Sequence, residues 1–282
     1  MLYDPFAGAG DLLDCDLPNI TERKGLDIDE KLRWEHNDSL VYIPRENDSI
    51  ILTNPPYYGK SSAKRNKDEK VFKYFEGNCH TDIYQLALEK SLEASDYVVA
   101  VIPESFINSS FDKTRCVSIT TIVENPFDDT ECPICVACFG KDACDSTMLY
   151  KSDERLFPLE SLGDIIPSSS KRVEMKFNSR DGWLAIKCYD NIRFGYTSDF
   201  NYDFERNIKA SSRSYTLVDI DIDECKRDEL IAEANRIMAN VREKSKDLLL
   251  APFKGTRKGV RRRRLDFVLA RKIIEKAVET LS

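Results

Sequence analysis

The sequence predicts an α/β protein: a doubly wound, mostly parallel sheet followed by a second, smaller mixed α+β domain. Three observations predict it. Short apolar runs alternate with segments of helical periodicity through the first half. The apolar start Leu2-Tyr3 runs directly into Asp4-Pro5-Phe6-Ala7-Gly8-Ala9-Gly10, a strand followed by a Gly-x-Gly turn. After about Cys144 the pattern loosens into short strand-like pieces among polar loops.

Taken in order, Leu2-Tyr3 is the first strand, and Gly10 to Asp14 opens a short helix. Arg23-Lys24-Gly25-Leu26-Asp27 reads as a second strand ending in acids, and Arg33 to His36 as a third, leaving through Asn37-Asp38. Ser49 to Thr53 is the fourth strand. Apolar residues at 83, 86, 87, 88 and 92 give Asp82–Glu93 a helical spacing. Tyr97 to Ile102 is a continuous buried strand, and Ile134 to Phe139 another. Further on, Trp183–Ile186 and Tyr215–Val218 read as strands, and Arg227 to Lys244 as a helix. Leu265 to Leu281 is an amphipathic helix with Ala270, Ile273, Ile274, Ala277 and Leu281 on one face. The expected boundaries are 1–150 for the first domain and 151–264 for the second, with 265–282 as the closing helix.

A chain of 282 residues, 41% hydrophobic and 10% aromatic, can bury cores for both domains. It has no apolar stretch of membrane-spanning length and no signal peptide. Its nine cysteines, an odd number without an export signal, read as reduced thiols in a cytoplasmic protein. The net charge of −7 argues at first against nucleic acid. However, residues 1–50 carry twelve acids against five bases, so the remainder is neutral overall and its cations are clustered. One cluster is Lys60, Lys64, Arg65, Lys67 and Lys70; the other is Lys254, Arg257, Lys258, Arg261, Arg262, Arg263 and Arg264. Local basic surface is what phosphate contacts need, whereas solvated loops are the ordinary reading of such runs.

The second informative segment is Thr53-Asn54-Pro55-Pro56-Tyr57, which follows the apolar run Ile50-Ile51-Leu52. It gathers an amide, two rigid prolines and an aromatic ring at one strand mouth. Amide and backbone carbonyl can accept the hydrogens of an exocyclic amine while the ring stacks on the heterocycle. With Asp4 to Gly10 some fifty residues upstream, the pair resembles the S-adenosylmethionine-dependent amino-methyltransferases, which have a Rossmann-like fold. More narrowly it resembles the adenine-N6 DNA methyltransferases of restriction–modification systems, in which the cofactor motif comes first, Asn-Pro-Pro-Tyr second and the target-recognition region last. The resemblance covers roughly residues 1–140. Asn-Pro-Pro-Tyr also occurs in enzymes that methylate rRNA bases or protein glutamine, and those activities stay open as alternatives. So does a non-catalytic nucleic-acid-binding protein on the same scaffold.

The resemblance implies roles for individual residues. Asp4, Phe6, Gly8 and Gly10 would pass close to the cofactor's methionine part, where a Cβ on either glycine would intrude. Asp27 would take both ribose hydroxyls, with Asp29 as the runner-up, and Asp38 would read the cofactor's adenine amine, although a plain turn residue is its other reading. Asn54, Pro55, Pro56 and Tyr57 would be catalytic, Asn54 and the Pro55 carbonyl holding the amine of the target adenine. Tyr57 would stack on that base, which must be flipped out of the duplex. Phe127 would stack as well, and reads equally as a core ring. Lys60, Lys64, Arg65 and the Arg257–Arg264 cluster would contact DNA. The implied partners are S-adenosylmethionine, double-stranded DNA and a functionally linked restriction endonuclease.

Residues 58–70, polar and basic behind the catalytic motif, read as a lid over the target base. The spacing Cys132-x-x-Cys135-x-x-Cys138 suggests a metal, but on a strand Cys135 would face away from the other two, so no metal is expected. The family carries a helix and a cofactor-contacting motif ahead of the Asp-Pro-Phe segment, which starts here at residue 4. The helix 265–282 is therefore expected to fold back on the catalytic domain and cover that flank. Packing on the recognition domain, or a start codon farther upstream, would be the alternatives.

Overall fold

The computed structural model describes residues 1–123, 133–210, 212–253 and 262–281, and the backbone but not the side chain of Arg262. The chain divides into two units, one built from Met1–Asn125 and Ile134–Leu159, the other mainly from Glu160–Ser282.

The first unit contains β1 (Leu2–Asp4), β2 (Arg23–Asp27), β3 (Glu35–His36), β4 (Ile50–Thr53), α1 (Lys60–Asn66), α2 (Glu69–Phe72), α3 (Ile83–Ala94), β5 (Tyr97–Pro103), β6 (Cys116–Thr121), β7 (Ile134–Phe139), β8 (Met148–Lys151) and β9 (Glu154–Pro158). The strands form one mixed sheet of order β3-β2-β1-β4-β5-β7-β6-β8-β9. From β3 to β5 all neighbours are parallel; β7 then enters antiparallel to both β5 and β6. This is the fold class the sequence predicts. Parallel strands are usually covered on both faces, which fits the unbroken apolar run of β5; Val98, Ala100 and Ile102 on one of its faces are buried, and Val99 and Val101 on the other are half-buried.

The order locates the ligand-accepting edge. The chain runs β1, β2, β3 in one direction across the sheet, then returns past β1 to lay down β4 and β5. The direction reverses between neighbouring β1 and β4, and such a switch leaves a crevice at the carboxyl ends of the strands.

The first unit ends at Leu159, within ten residues of the boundary expected near 150, because β8 pairs with β6 and β9 with β8, extending the first sheet by two strands. Several expectations are corrected. Residues 10–14 form turns instead of a helix; Gly10 has φ +100° and the Arg23 guanidinium ties down the Leu13 carbonyl at 2.7 Å. Residues 58–70 are not an open lid. They fold into α1 and α2, whose Ala63 is buried with Phe75 and Ile83 while Leu40, Tyr58, Val71, Phe72 and Tyr74 pack around them. Polar composition concealed this, since one buried alanine and a few aromatics suffice to seat two short helices.

The second unit holds α4 (Ser161–Ile165), β10 (Met175–Phe177), β11 (Leu184–Lys187), β12 (Arg193–Gly195), α5 (Phe204–Asn207), β13 (Tyr215–Ile220), α6 (Arg227–Ser245), β14 (Ala251–Phe253), β15 (Arg262–Arg264) and α7 (Phe267–Thr280). Its four-stranded sheet has the order β10-β13-β11-β12, entirely antiparallel, and β14 pairs with β15 as a hairpin. Ala185, Phe200, Phe204, Ile208 and Leu217 form a core cluster.

The expectation for helix 265–282 is corrected here as well. α7 belongs to the second unit and packs on α6, with Leu269, Ala270, Ile273, Ile274 and Ala277 buried. Phe267 stacks on Phe177 at 4.6 Å, Arg271 donates to the Val173 and Met175 carbonyls, and the Glu279 carboxylate accepts from the Ser170 amide and hydroxyl. Its apolar face is thus covered within the second unit.

Candidate functional site

The carboxyl ends of β1, β2, β3 and β4 are neighbours in the sheet, so the four segments singled out in the sequence meet there. They wall a cleft of about 300 Å³ lined by Pro5, Phe6, Asp27, Ile28, Asn37, Asp38, Ser39, Leu40, Asn54 and Pro56. Its polar side chains are two carboxylates, two amides and the Ser39 hydroxyl, set among Phe6, Ile28 and Leu40. Such a mostly apolar slot with sparse polar groups suits a flat heterocyclic ligand.

Asp27 closes β2 with its carboxylate already oriented. Oδ2 accepts from the Gly8 amide at 2.8 Å and Oδ1 from the Asp29 amide at 2.9 Å. Each oxygen keeps a second lone pair, so the group can still take two hydroxyl donors. Asp29, the runner-up, is exposed, accepts from the Lys31 amide and is not on the cleft wall. Ile28, between the two acids, is 57% exposed and lines the cleft. Sequence reasoning missed it, although an isoleucine between two acids on a loop was the available signal.

Asp38 sits in a turn after β3. Its Oδ1 accepts from the Leu40 amide at 3.2 Å and its Oδ2 from the Tyr74 hydroxyl at 2.7 Å. Burial first, and then the adjacent Asp38 carboxylate, push the Tyr74 hydroxyl up to about 12, so it remains a donor. Asn37 holds the turn, donating from Nδ2 to the Ser39 hydroxyl and the Tyr42 carbonyl.

Asp4 is not among the residues lining the cleft. It is buried, and Oδ1 accepts both the Thr53 hydroxyl at 2.7 Å and the Phe6 amide at 3.0 Å. It therefore ties the end of β1 to the end of β4. Burial pushes its carboxyl up to about 6 against the lowering effect of those bonds.

The glycines divide by role. Gly8 has φ +51°, and a Cβ there would meet nothing within 4 Å, so the space beside it is open. Gly10, at φ +100°, has the opposite problem: its Cβ would lie 2.7 Å from Trp34 Cζ2 and 2.8 Å from Arg33 Nη2. Packing against Trp34 and Arg33, with the positive φ, is by itself enough to demand glycine at position 10. Trp34 is the organiser the sequence reading passed over. Its Nε1 donates to the Gly8 carbonyl at 2.8 Å, and its ring also lies against Gly25.

Asn54 and Tyr57 are half-buried, Pro55 buried and Pro56 exposed. The Tyr57 hydroxyl lies against both the Asn54 amide and the Val101 carbonyl. The following turn is anchored by Asp82, the N-cap of α3, whose Oδ1 accepts the Tyr58 amide at 3.0 Å. The sequence Asp82-x-x-Gln85 is a capping-box signature that could have found this anchor.

The expected DNA contacts are less uniform. Lys64 and Arg65 are exposed on α1, but Lys60 folds over the Phe75 ring at 5.7 Å and donates to its carbonyl. Arg264 is half-buried, stacked 5.6 Å from the Phe253 ring centre, and its pKa is lowered by burial and then by nearby Arg213. It is spent on packing the β14–β15 hairpin, and Arg263 beside it is also half-buried. Arg257, Lys258 and Arg261 lie outside the described residues, as do Phe127 and Cys132, and the side chain of Arg262 is likewise not described. Among the described residues no helix is long and apolar enough to cross a membrane.

Residues 17–125 match the family described as Eco57I restriction-modification methylase. No curated protein matches the chain. Among solved structures, the chain is similar to a type I restriction-modification methyltransferase subunit from Streptococcus thermophilus, at 15% identity and TM-score 0.38, over 58% of this chain and 47% of that one. It is similar to the type IIL restriction-modification enzyme MmeI in complex with DNA, at 15% identity and TM-score 0.41, over 66% of this chain and 40% of that one. It is also similar to the M protein of the type I restriction enzyme EcoKI, at 14% identity and TM-score 0.34, over 88% and 67%. The chain spans about half the length of the first two.

Proposed function

We propose that this chain is the methyl-transferring part of a restriction–modification DNA methyltransferase, acting on the exocyclic amine of adenine. The observation that carries the reading is the cleft itself, in which Asp27, Asp38 and Asn54, from three separate strand ends, face one slot. The family match over residues 17–125 supports it.

The residues fit S-adenosylmethionine. The carboxylate of Asp27 has two lone pairs left for a ribose diol, Phe6, Ile28 and Leu40 offer apolar walls for a purine, and the Gly8 side of the turn is open. When bound, that cofactor supplies an electrophilic methyl group. The chain's task is to present a nitrogen to it. Adenine's amine is a poor nucleophile because its lone pair is delocalised into the ring. Asn54 and the Pro55 carbonyl would accept its two hydrogens, favouring a tetrahedral nitrogen with the lone pair directed at the methyl group. Such catalysis works by orientation and electrostatic placement and needs no strong base. Tyr57 would stack on the flipped base.

The direct test is transfer of labelled methyl groups to duplex DNA, RNA and protein in parallel, with Asn54→Ala as control. Label in duplex DNA on N6 of adenine, lost in the variant while cofactor still binds, is the expected result. Label in RNA or protein alone would overturn the assignment of substrate, and undiminished turnover by Asn54→Ala would overturn the mechanism.

A further inference from the structure

We propose that Tyr74 is a positioning and specificity residue, one that clamps Asp38 so that the cleft prefers a purine bearing a 6-amino group. The inference rests on the reading of the cleft as a purine-nucleoside site and concerns a residue outside its wall.

Tyr74 lies in the turn that follows α2, thirty-six positions along the chain from Asp38. Its ring packs with Leu40, Val71 and Phe72 against buried Ala63, Phe75 and Ile83, so the hydroxyl projects from a fixed base. That hydroxyl donates to Asp38 Oδ2 at 2.7 Å, while the Leu40 amide donates to Oδ1 at 3.2 Å. One oxygen is held by the local turn and the other by a distant segment, so the carboxylate plane cannot rotate freely. Each oxygen has spent one lone pair and keeps another.

The consequence is directional. A clamped carboxylate offers only acceptor positions towards the cleft, so a ring amine gains a charge-assisted bond. A 6-oxo group would bring lone pair against lone pair, and a ring without the substituent would gain nothing. Without Tyr74, Asp38 would have to be ordered at the moment of binding, and part of the amine's contribution would go into that ordering. Tyr74 does not line the cleft, so it acts through Asp38 alone.

The test is calorimetric binding of S-adenosylhomocysteine, and of the same molecule with purine replacing adenine, to the full chain and to Tyr74→Phe. The phenylalanine keeps the ring in its cluster and removes only the hydroxyl. The amine-bearing ligand should bind about 5–10-fold more weakly to the variant, the worth of one lost hydrogen bond, while the ligand lacking the amine changes less than about twofold. Equal loss for both ligands, or no loss for either, overturns the proposal, since a packing role cannot distinguish them. Asp38→Ala measured alongside separates the two levels of the argument. Should Asp38→Ala weaken both ligands equally, or neither, the cleft does not read the amine, and the functional reading falls together with this one. Should Asp38→Ala weaken the amine-bearing ligand selectively and Tyr74→Phe weaken both equally or neither, the role of Tyr74 alone is wrong.

Discussion

The Tyr57 hydroxyl lies 2.7 Å from the Val101 carbonyl oxygen, bridging the end of β5 to the Asn54 amide at the end of β4. A phenol has one proton, and Asn54 Oδ1 and the Val101 carbonyl both lie against it as acceptors. The hydroxyl thereby fixes the Asn54 side-chain amide, whose Oδ1 keeps a second lone pair.

Tyr57→Phe tests this. The ring that would stack on a base is retained while the partner that orients Asn54 is lost. On the proposed function, kcat should fall by about 5–10-fold, the equivalent of one neutral hydrogen bond. The KM for S-adenosylmethionine should stay within error, because Tyr57 is not on the cleft wall. A change confined to KM would contradict the role.

Asp27→Ala removes a group with two tasks, ligand acceptor and anchor for the Gly8 and Asp29 amides. Cofactor binding should weaken by about 1.5–3 kcal/mol, the range for hydrogen bonds to a charged group. Calorimetry decides the point, and unchanged affinity would mean that the acid is misassigned.

Gly10→Ala should cost about 1–3 kcal/mol of stability, from the positive φ and from the collision with Trp34. Combining it with Trp34→Leu should recover the steric part only. If thermal unfolding shows the double variant no better than the sum of the single ones, the collision is not what demands glycine.

The pH dependence follows from Asp4, whose folded carboxyl titrates at about 6 against 3.8 for the free group. Because the folded state keeps a proton the unfolded state has lost, stability from this group is present below pH 3.8 and is lost as pH rises to about 6. The loss is on the order of 2–3 kcal/mol. Asp4→Asn cannot ionise and should flatten the denaturant midpoint across that window relative to the parent. A parent whose midpoint rises steadily from pH 4 to 6, with the same slope in Asp4→Asn, would rule this out.

Much of the frame was legible because it depends on local pattern. The runs at Leu2–Tyr3, Arg23–Asp27 and Tyr97–Ile102 are short, apolar and bounded, and each is a strand. A parallel sheet then brings carboxyl ends together, so Asp27, Asp38 and Asn54 could be expected at one edge. Less was legible where a residue's partner is remote: the Thr53 bond to Asp4, and the seating of residues 58–70 through Ala63, Phe75 and Ile83, have no local signal.

By itself, then, the sequence determined the parallel α/β class, the strand ends that face the cleft and the chemical types gathered there, because strand periodicity and turn chemistry act over a few neighbouring residues. Only the tertiary structure decided that Trp34 requires Gly10, that Tyr74 clamps Asp38, that Tyr57 orients Asn54 and that α7 closes the second unit. Those relationships join positions distant in the chain, and their energies depend on burial and on which single donor meets which acceptor.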